Sequence, residues 1–242
     1  MERSEEPSSA GSSSGPSLKV RLDHDLEAVR AASGRLLGSL VCAALLLFLF
    51  SWLSEEVFDG ELRQFDLRTR TMVHQFSTPQ LTRFAQALTF LGSIGFLTVL
   101  FAVLFALFLA TGWKRHAIWL AVAVGGSVVL DVSLKLAFHR TRPAPFFGAV
   151  PMTYSYPSGH ALSSLCFYGA LAGLSCVRIQ SRVARILIWI ATGVLVMGIG
   201  LSRIYLGVHY PTDVIAGYLA GGIWVSTLLF AARIHRPAPH TA

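Results

Sequence analysis

The sequence predicts an all-α, polytopic membrane protein built as a bundle of six transmembrane helices. Of its 242 residues, 53% are apolar and only 14% are charged, with a mean hydropathy of +0.58. Soluble globular chains carry about 25% charged residues and lack apolar runs of ~20 residues. This chain repeats such runs and places most of its Lys and Arg between them, which excludes a disordered chain and a soluble acidic protein. The net charge of +7 has no basic stripe interleaved with aromatics beside it, so no nucleic-acid partner is expected. Positive loops are instead what cytoplasmic membrane flanks contain, and the charge reads as topology plus an anionic substrate. Cys42, Cys166 and Cys176 each sit in apolar stretches and are expected to be buried packing residues, with neither a disulfide framework nor a clustered metal site in view.

Residues 1–18 are rich in Ser, Gly, Pro and Glu, a composition expected to stay disordered. The mixed stretch up to Arg35 suggests a short helix at the membrane surface, so 1–35 form an N-terminal tail, 36–233 the membrane domain and 234–242 a short C-terminal tail. No cleavable leader is expected, and the first span is read as an anchor. Six stretches match a hydrocarbon core of ~30 Å: 36–53, 88–109, 117–138, 158–177, 186–201 and 214–232. The linker over 54–87 is expected to form an interfacial helix that stops near Pro79. The pairs Gly125–Gly126 and Gly221–Gly222 let neighbouring helices approach closely. With the N-terminus inside, twelve of the twenty Lys and Arg fall in cytoplasmic segments and seven opposite, which places both termini in the cytoplasm.

Polar groups at membrane depth require an explanation. The third span ends in Asp131, Lys135 and, seven residues later, Arg142, both cations on one side if the helix persists that far. The fourth opens on Pro157-Ser158-Gly159-His160, a helix start with free N–H groups and positive potential suited to an anion. The fifth runs into Ser202-Arg203, then His209 and Asp213, where a helix beginning near Pro211 would put the carboxylate beside the imidazole. Taken singly, each has an ordinary reading: a snorkelling Lys, a capping Ser, a loop His. Asp131 is read either as an i, i+4 partner of Lys135 or as a structural partner elsewhere, the structural role being favoured. His139 is read as a loop histidine, and Tyr154, Tyr156, Tyr205 and Tyr210 as an interfacial belt.

Together these residues resemble the type 2 phosphatidic acid phosphatase superfamily, whose motifs read K-x6-RP, PSGH and SR-x5-H-x3-D. All eleven fixed positions are present, from Lys135 to Asp213. The resemblance spans roughly 36–232 and implies a helical core of the kind shared with vanadate-dependent haloperoxidases. It implies that His209 attacks phosphorus to form a phosphohistidine, that Asp213 orients it, and that His160 protonates the leaving group and then activates water. Lys135, Arg142, Ser158, Gly159 and Arg203 would bind the phosphate, with no metal or cofactor. The implied activity is hydrolysis of a lipid phosphate, whether phosphatidate, phosphatidylglycerol phosphate or a polyprenyl diphosphate, at the outer face of a bacterial cytoplasmic membrane. Two alternatives stay open: a non-catalytic protein that binds or transports an anionic lipid on the same fold, and a haloperoxidase-like enzyme.

Overall fold

The computed structural model describes residues 18–148 and 151–234. The expected disordered tail over 1–17 and most of the expected C-terminal tail, 235–242, lie outside the described residues. Eight helices and no strand occur among them: α1 (Leu18–Phe58), α2 (Arg63–Gln75), α3 (Pro79–Leu91), α4 (Ile94–Ala110), α5 (Lys114–Phe138), α6 (Gly159–Cys176), α7 (Arg182–Tyr205) and α8 (Pro211–Ile234). Contacts divide the chain at Gly38, beyond which one unit holds the rest of α1 and all the other helices. The mixed stretch before the first span is helical, but it is the N-terminal part of α1 and not a separate element.

Local chemistry sets the boundaries. Thr78 accepts a hydrogen bond from the Leu81 N–H at 3.2 Å, and Pro79 takes the first helical position, so the linker breaks into α2 and α3. Ser93 accepts from the Phe96 N–H at 3.3 Å and starts α4. The expected second span, 88–109, is therefore interrupted at Gly92–Ser93, and α3 and α4 meet at 46°.

Among the described residues, four helices are long and apolar enough to cross a membrane: α1 over Leu37–Phe58, α5, α7, and α8 over Pro211–Ala231; α3 with α4 makes a fifth if the bent pair is one span. The count of six is thus corrected. The helix that drops out is α6, whose 18 residues include His160, three Ser and three Gly. It packs against α5, α7 and α8, and a helix screened by protein need not offer lipid an apolar surface.

Small residues allow that packing. A Cβ on Gly217 of α8 would lie 2.6 Å from the Ser158 carbonyl, and one on Gly221 3.2 Å from that of Leu162, so the α6–α8 approach requires glycine. Gly126 lies under the Trp224 indole, which donates to the Ala123 carbonyl at 3.1 Å, whereas Gly125 faces open space. Of the cysteines, only Cys166 is buried, and Cys42 is exposed. Nor do the tyrosines form a belt. Tyr156 is buried on Ser54 (2.8 Å) and Tyr205 on Thr82 (2.8 Å), both satisfying their hydroxyls within the bundle, and Tyr210 stacks under Arg140; only Tyr154 is exposed.

Candidate active site

The end of α5, the start of α6, the end of α7 and the start of α8 meet at one end of the bundle, and the three motifs lie there. On α5, Lys135 forms an i, i+4 ion pair with Asp131, so Asp131 serves the lysine. The helix does not persist to Arg142. It ends at Phe138, where His139 adopts a left-handed conformation (φ 48°) and packs its ring against Tyr154. Arg142 reaches the site from a loop, in which its Nε donates to the Thr153 carbonyl (2.7 Å) and a terminal nitrogen to the Thr153 hydroxyl (2.8 Å). Its other terminal nitrogen donates to the Val208 carbonyl (3.0 Å) and lies 2.9 Å from His209 Nε2. Burial lowers the Arg142 pKa, while Asp213 and Asp131 act to raise it.

The third motif is shaped by a turn. Beyond α7, Gly207 has φ +77°, and a Cβ there would meet the Phe146 backbone nitrogen at 2.6 Å, so only glycine fits. The chain then delivers His209 and starts α8 at Pro211, as the motif spacing predicts. His209 and Asp213 are both buried, and His209 Nδ1 lies 3.3 Å from Asp213 Oδ2. The same oxygen accepts from the Tyr210 N–H (2.9 Å) and the Ser155 hydroxyl. A guanidinium has only donors, so His209 Nε2 must accept from Arg142, and the ring proton resides on Nδ1, facing the carboxylate. Burial pushes His209 down to about 4, against the raising influence of Asp213. At neutral pH the imidazole is uncharged, with a lone pair on Nε2.

Ser158 holds the N-cap position of α6 without capping it: its hydroxyl is buried and has no hydrogen-bond partner. Its N–H donates to the Asp213 carbonyl at 2.9 Å, which ties α6 to α8. Arg203, in the last turn of α7, donates to the Thr89 hydroxyl at 2.5 Å and leaves its own buried Nε unpaired. Buried polar groups without partners are rare; these two belong to the motifs, and Arg70 Nε and His74 Nδ1 are the others among the described residues. The residue after Ser158 is closely packed, since a Cβ on Gly159 would lie 2.9 Å from Lys135 Nζ and 2.8 Å from Asp131 Oδ1. His160, in the first turn of α6, is within electrostatic reach of Arg203, His209, Lys135 and Arg142. All eight residues singled out in the sequence are thereby gathered at one end of the bundle, Lys135, Arg142 and Arg203 supplying its positive charge.

Sequence reasoning missed the groups behind them. Arg140 donates to Asp213 Oδ1 at 2.5 Å and to Asp66 Oδ2 at 2.8 Å. Burial lowers the Arg140 pKa, but Asp213 and Asp66 outweigh it and hold the guanidinium above its ordinary value. Thr89, Thr153, Ser155 and Thr212 were likewise unremarked. The available signal was Asp66 itself, an acidic side chain in a helix that otherwise carries basic charges.

Residues 116–236, which contain all three motifs, match the family model described as the PAP2 superfamily. The chain belongs to the PAP2 superfamily. Its similarity to phosphatidylglycerophosphatase B of Bacillus subtilis (strain 168) is 30% identity over 149 residues, 59% of this chain and 71% of that protein. It is 33% identical to an undecaprenyl-diphosphatase of Sulfolobus acidocaldarius over 121 residues, 48% of this chain and 54% of the relative. A crystal structure of a transmembrane PAP2 type phosphatidylglycerolphosphate phosphatase from Bacillus subtilis superposes with a TM-score of 0.75, covering 81% of this chain and 98% of that one at 23% identity. That likeness shows the fold. This PAP2 protein is an integral membrane protein and a phosphoric ester hydrolase.

Proposed function

We propose that this PAP2 enzyme hydrolyses a lipid phosphomonoester or diphosphate through a phosphohistidine on His209, residues 36–233 forming the phosphatase domain. The observation that carries the proposal is the buried, neutral His209: its Nδ1–H is committed to Asp213 and its Nε2 lone pair is held by Arg142, a cation a phosphate would also engage. In the first step Nε2 attacks phosphorus, an N–P bond forms, and the P–O bond to the lipid breaks. Asp213 stabilises the imidazolium that results. His160 gives its proton to the departing oxygen, and a phosphate dianion among these cations favours the protonated ring. Lys135, Arg142 and Arg203, with the Ser158 hydroxyl and the Gly159 N–H, hold the remaining phosphoryl oxygens. In the second step His160 takes a proton from water, which attacks phosphorus and releases His209.

The lipid class is supported by the position of the site at one end of an apolar helical bundle, where a tail stays in lipid while the headgroup meets the cations. Relatives named for phosphatidylglycerophosphate and undecaprenyl diphosphate support the same class. Phosphatidate, phosphatidylglycerol phosphate and polyprenyl diphosphate are the substrates proposed. The loop charges support a site on the outer face with both termini in the cytoplasm.

The purified protein in detergent is expected to release phosphate from at least one of these lipids in the presence of EDTA. A strict need for added divalent metal would overturn the proposal. The pH profile supplies an independent check. His209 must be uncharged to attack, and its free-enzyme pKa lies at about 4. Activity is therefore lost as pH falls through about 4, and the limb that belongs to His209 should lie well below the ~6.5 of an ordinary histidine, separate from the steps that His160 and the substrate phosphate contribute. A His209 limb at that ordinary value would contradict the buried, neutral nucleophile.

A further inference from the structure

Behind His209 lies a second layer of charge that none of the fixed motif positions supplies: Arg140 fills a variable position of K-x6-RP, and Asp66 lies outside all three motifs. We infer that Arg140 and Asp66 are a positioning pair for the reaction: together they hold the Asp213 carboxylate in register behind the imidazole. The inference rests on the reading of His209 as nucleophile and extends it to a variable position of the first motif and to a residue of α2.

The geometry carries it. One terminal nitrogen of Arg140 donates to Asp213 Oδ1 (2.5 Å) and to the Thr212 hydroxyl (2.8 Å), the other to Asp66 Oδ2 (2.8 Å). The Arg140 carbonyl accepts from the Ser155 N–H at 2.8 Å, and the Ser155 hydroxyl donates to Asp213 Oδ2. Arg140 thus fixes one carboxylate oxygen directly and the other through Ser155. Asp66 in turn accepts from the Thr212 N–H at 3.1 Å and the Thr212 hydroxyl at 2.7 Å. A carboxylate from α2 therefore satisfies a free N–H of the first turn of α8, the turn that carries Asp213. The Tyr210 ring covers the guanidinium at 4.4 Å.

Burial makes the pair consequential. Asp66 and Asp213 have side-chain exposures of 1% and 0%, and Arg140 is the cation hydrogen-bonded to both. The other charged and titratable groups acting on Asp213 are His209 and Tyr210 beside it, Arg70 from α2, Lys135 from α5, Arg142 from the same loop as Arg140, and Tyr156. Among the described residues, Arg70, Lys135 and Arg142 act on it through space alone. Without Arg140, two buried carboxylates meet around Thr212, and one is driven to take a proton. A protonated Asp213 cannot serve His209 Nδ1, Tyr210 N–H and Ser155 as acceptor at once, and the imidazole loses its fixed tautomer.

The test compares Arg140→Gln, Arg140→Lys and Asp66→Asn with the wild-type enzyme in detergent, measuring kcat, KM and the acid limb of kcat/KM, with active sites titrated by vanadate. Arg140→Gln is expected to lower kcat about 10- to 100-fold, the scale on which partners that orient an imidazole act. KM should change by no more than about twofold, and the acid limb should move to higher pH. Arg140→Lys should recover part of kcat and draw the limb back. Asp66→Asn should cost less and leave the limb in place, because it removes the competing carboxylate while Arg140 stays on Asp213. A merely structural pair would reduce the number of active sites and leave kcat per site and the pH profile unchanged, and that result overturns the inference. Should Arg140→Gln not fold, Arg140→Lys decides, since one ammonium cannot reproduce the fork: wild-type kcat and limb would overturn the inference. Full activity in His209→Ala would remove the underlying reading, whereas an inactive His209→Ala beside an unaltered Arg140→Gln removes only this one.

Discussion

Replacing His209 by alanine is expected to abolish phosphate release, lowering kcat by roughly 10⁴-fold or more, the scale on which loss of a covalent nucleophile acts. The reason is local. Nε2 is the nitrogen whose lone pair is free of a proton, and the opposite ring nitrogen carries its proton toward the buried Asp213 carboxylate. The variant should still fold, because Asp213 keeps Arg140, Ser155 and the Tyr210 N–H as partners when the imidazole is gone. Phosphate release from the lipid panel, measured beside a thermal melt, checks both halves. A folded His209→Ala enzyme within tenfold of wild type would remove His209 as nucleophile. Such a result would favour a protein that only binds the anionic lipid.

His160→Ala is expected to have the next largest effect, about 10²- to 10⁴-fold in kcat on an alkyl phosphate, the usual contribution of a positioned general acid. The loss should shrink with p-nitrophenyl phosphate, whose leaving group departs without a proton. Because His160 also activates water in the second step, the variant should accumulate phosphate bound covalently to His209, stable in base and released by acid. Quench-flow with radiolabelled substrate measures it. Equal losses on alkyl and aryl esters, with no trapped phosphate, would assign His160 to binding and not to proton transfer. The surroundings already separate the two histidines. His209 is tied to a carboxylate, while His160 faces the cations Arg203, Lys135 and Arg142 at a helix start.

What could be read along the chain was whatever depends on near neighbours. Apolar runs of the right length located the spanning part of α1 and α5, α7 and α8 with ends shifted by a few residues, and the helix stop expected near Pro79 falls at Gln75, with Pro79 opening α3. The spacing of His209, Pro211 and Asp213 correctly set the imidazole against a carboxylate one turn into α8. Where a local rule was pushed too far, it failed. Helical periodicity from Lys135 to Arg142 ignored the left-handed His139 that stops α5, and hydropathy counted 158–177 as a sixth span, which the length and composition of α6 do not support. The tyrosines were placed at an interface by residue type, although Tyr156 and Tyr205 find partners more than a hundred residues away in sequence, at Ser54 and Thr82.

By itself the sequence determined the membrane class, the motif residues and the chemistry of their side chains, because hydropathy and short spacings are properties of contiguous chain. The tertiary structure alone decided which charges meet. Asp66 reaches Arg140 across 74 residues and Thr212 across 146, and no periodicity encodes such distances. The same packing left the Ser158 hydroxyl and Arg203 Nε without partners and fixed the proton of His209 on Nδ1. Burial turns those placements into function, since water no longer satisfies the groups and each must find its partner in the protein or in a phosphate.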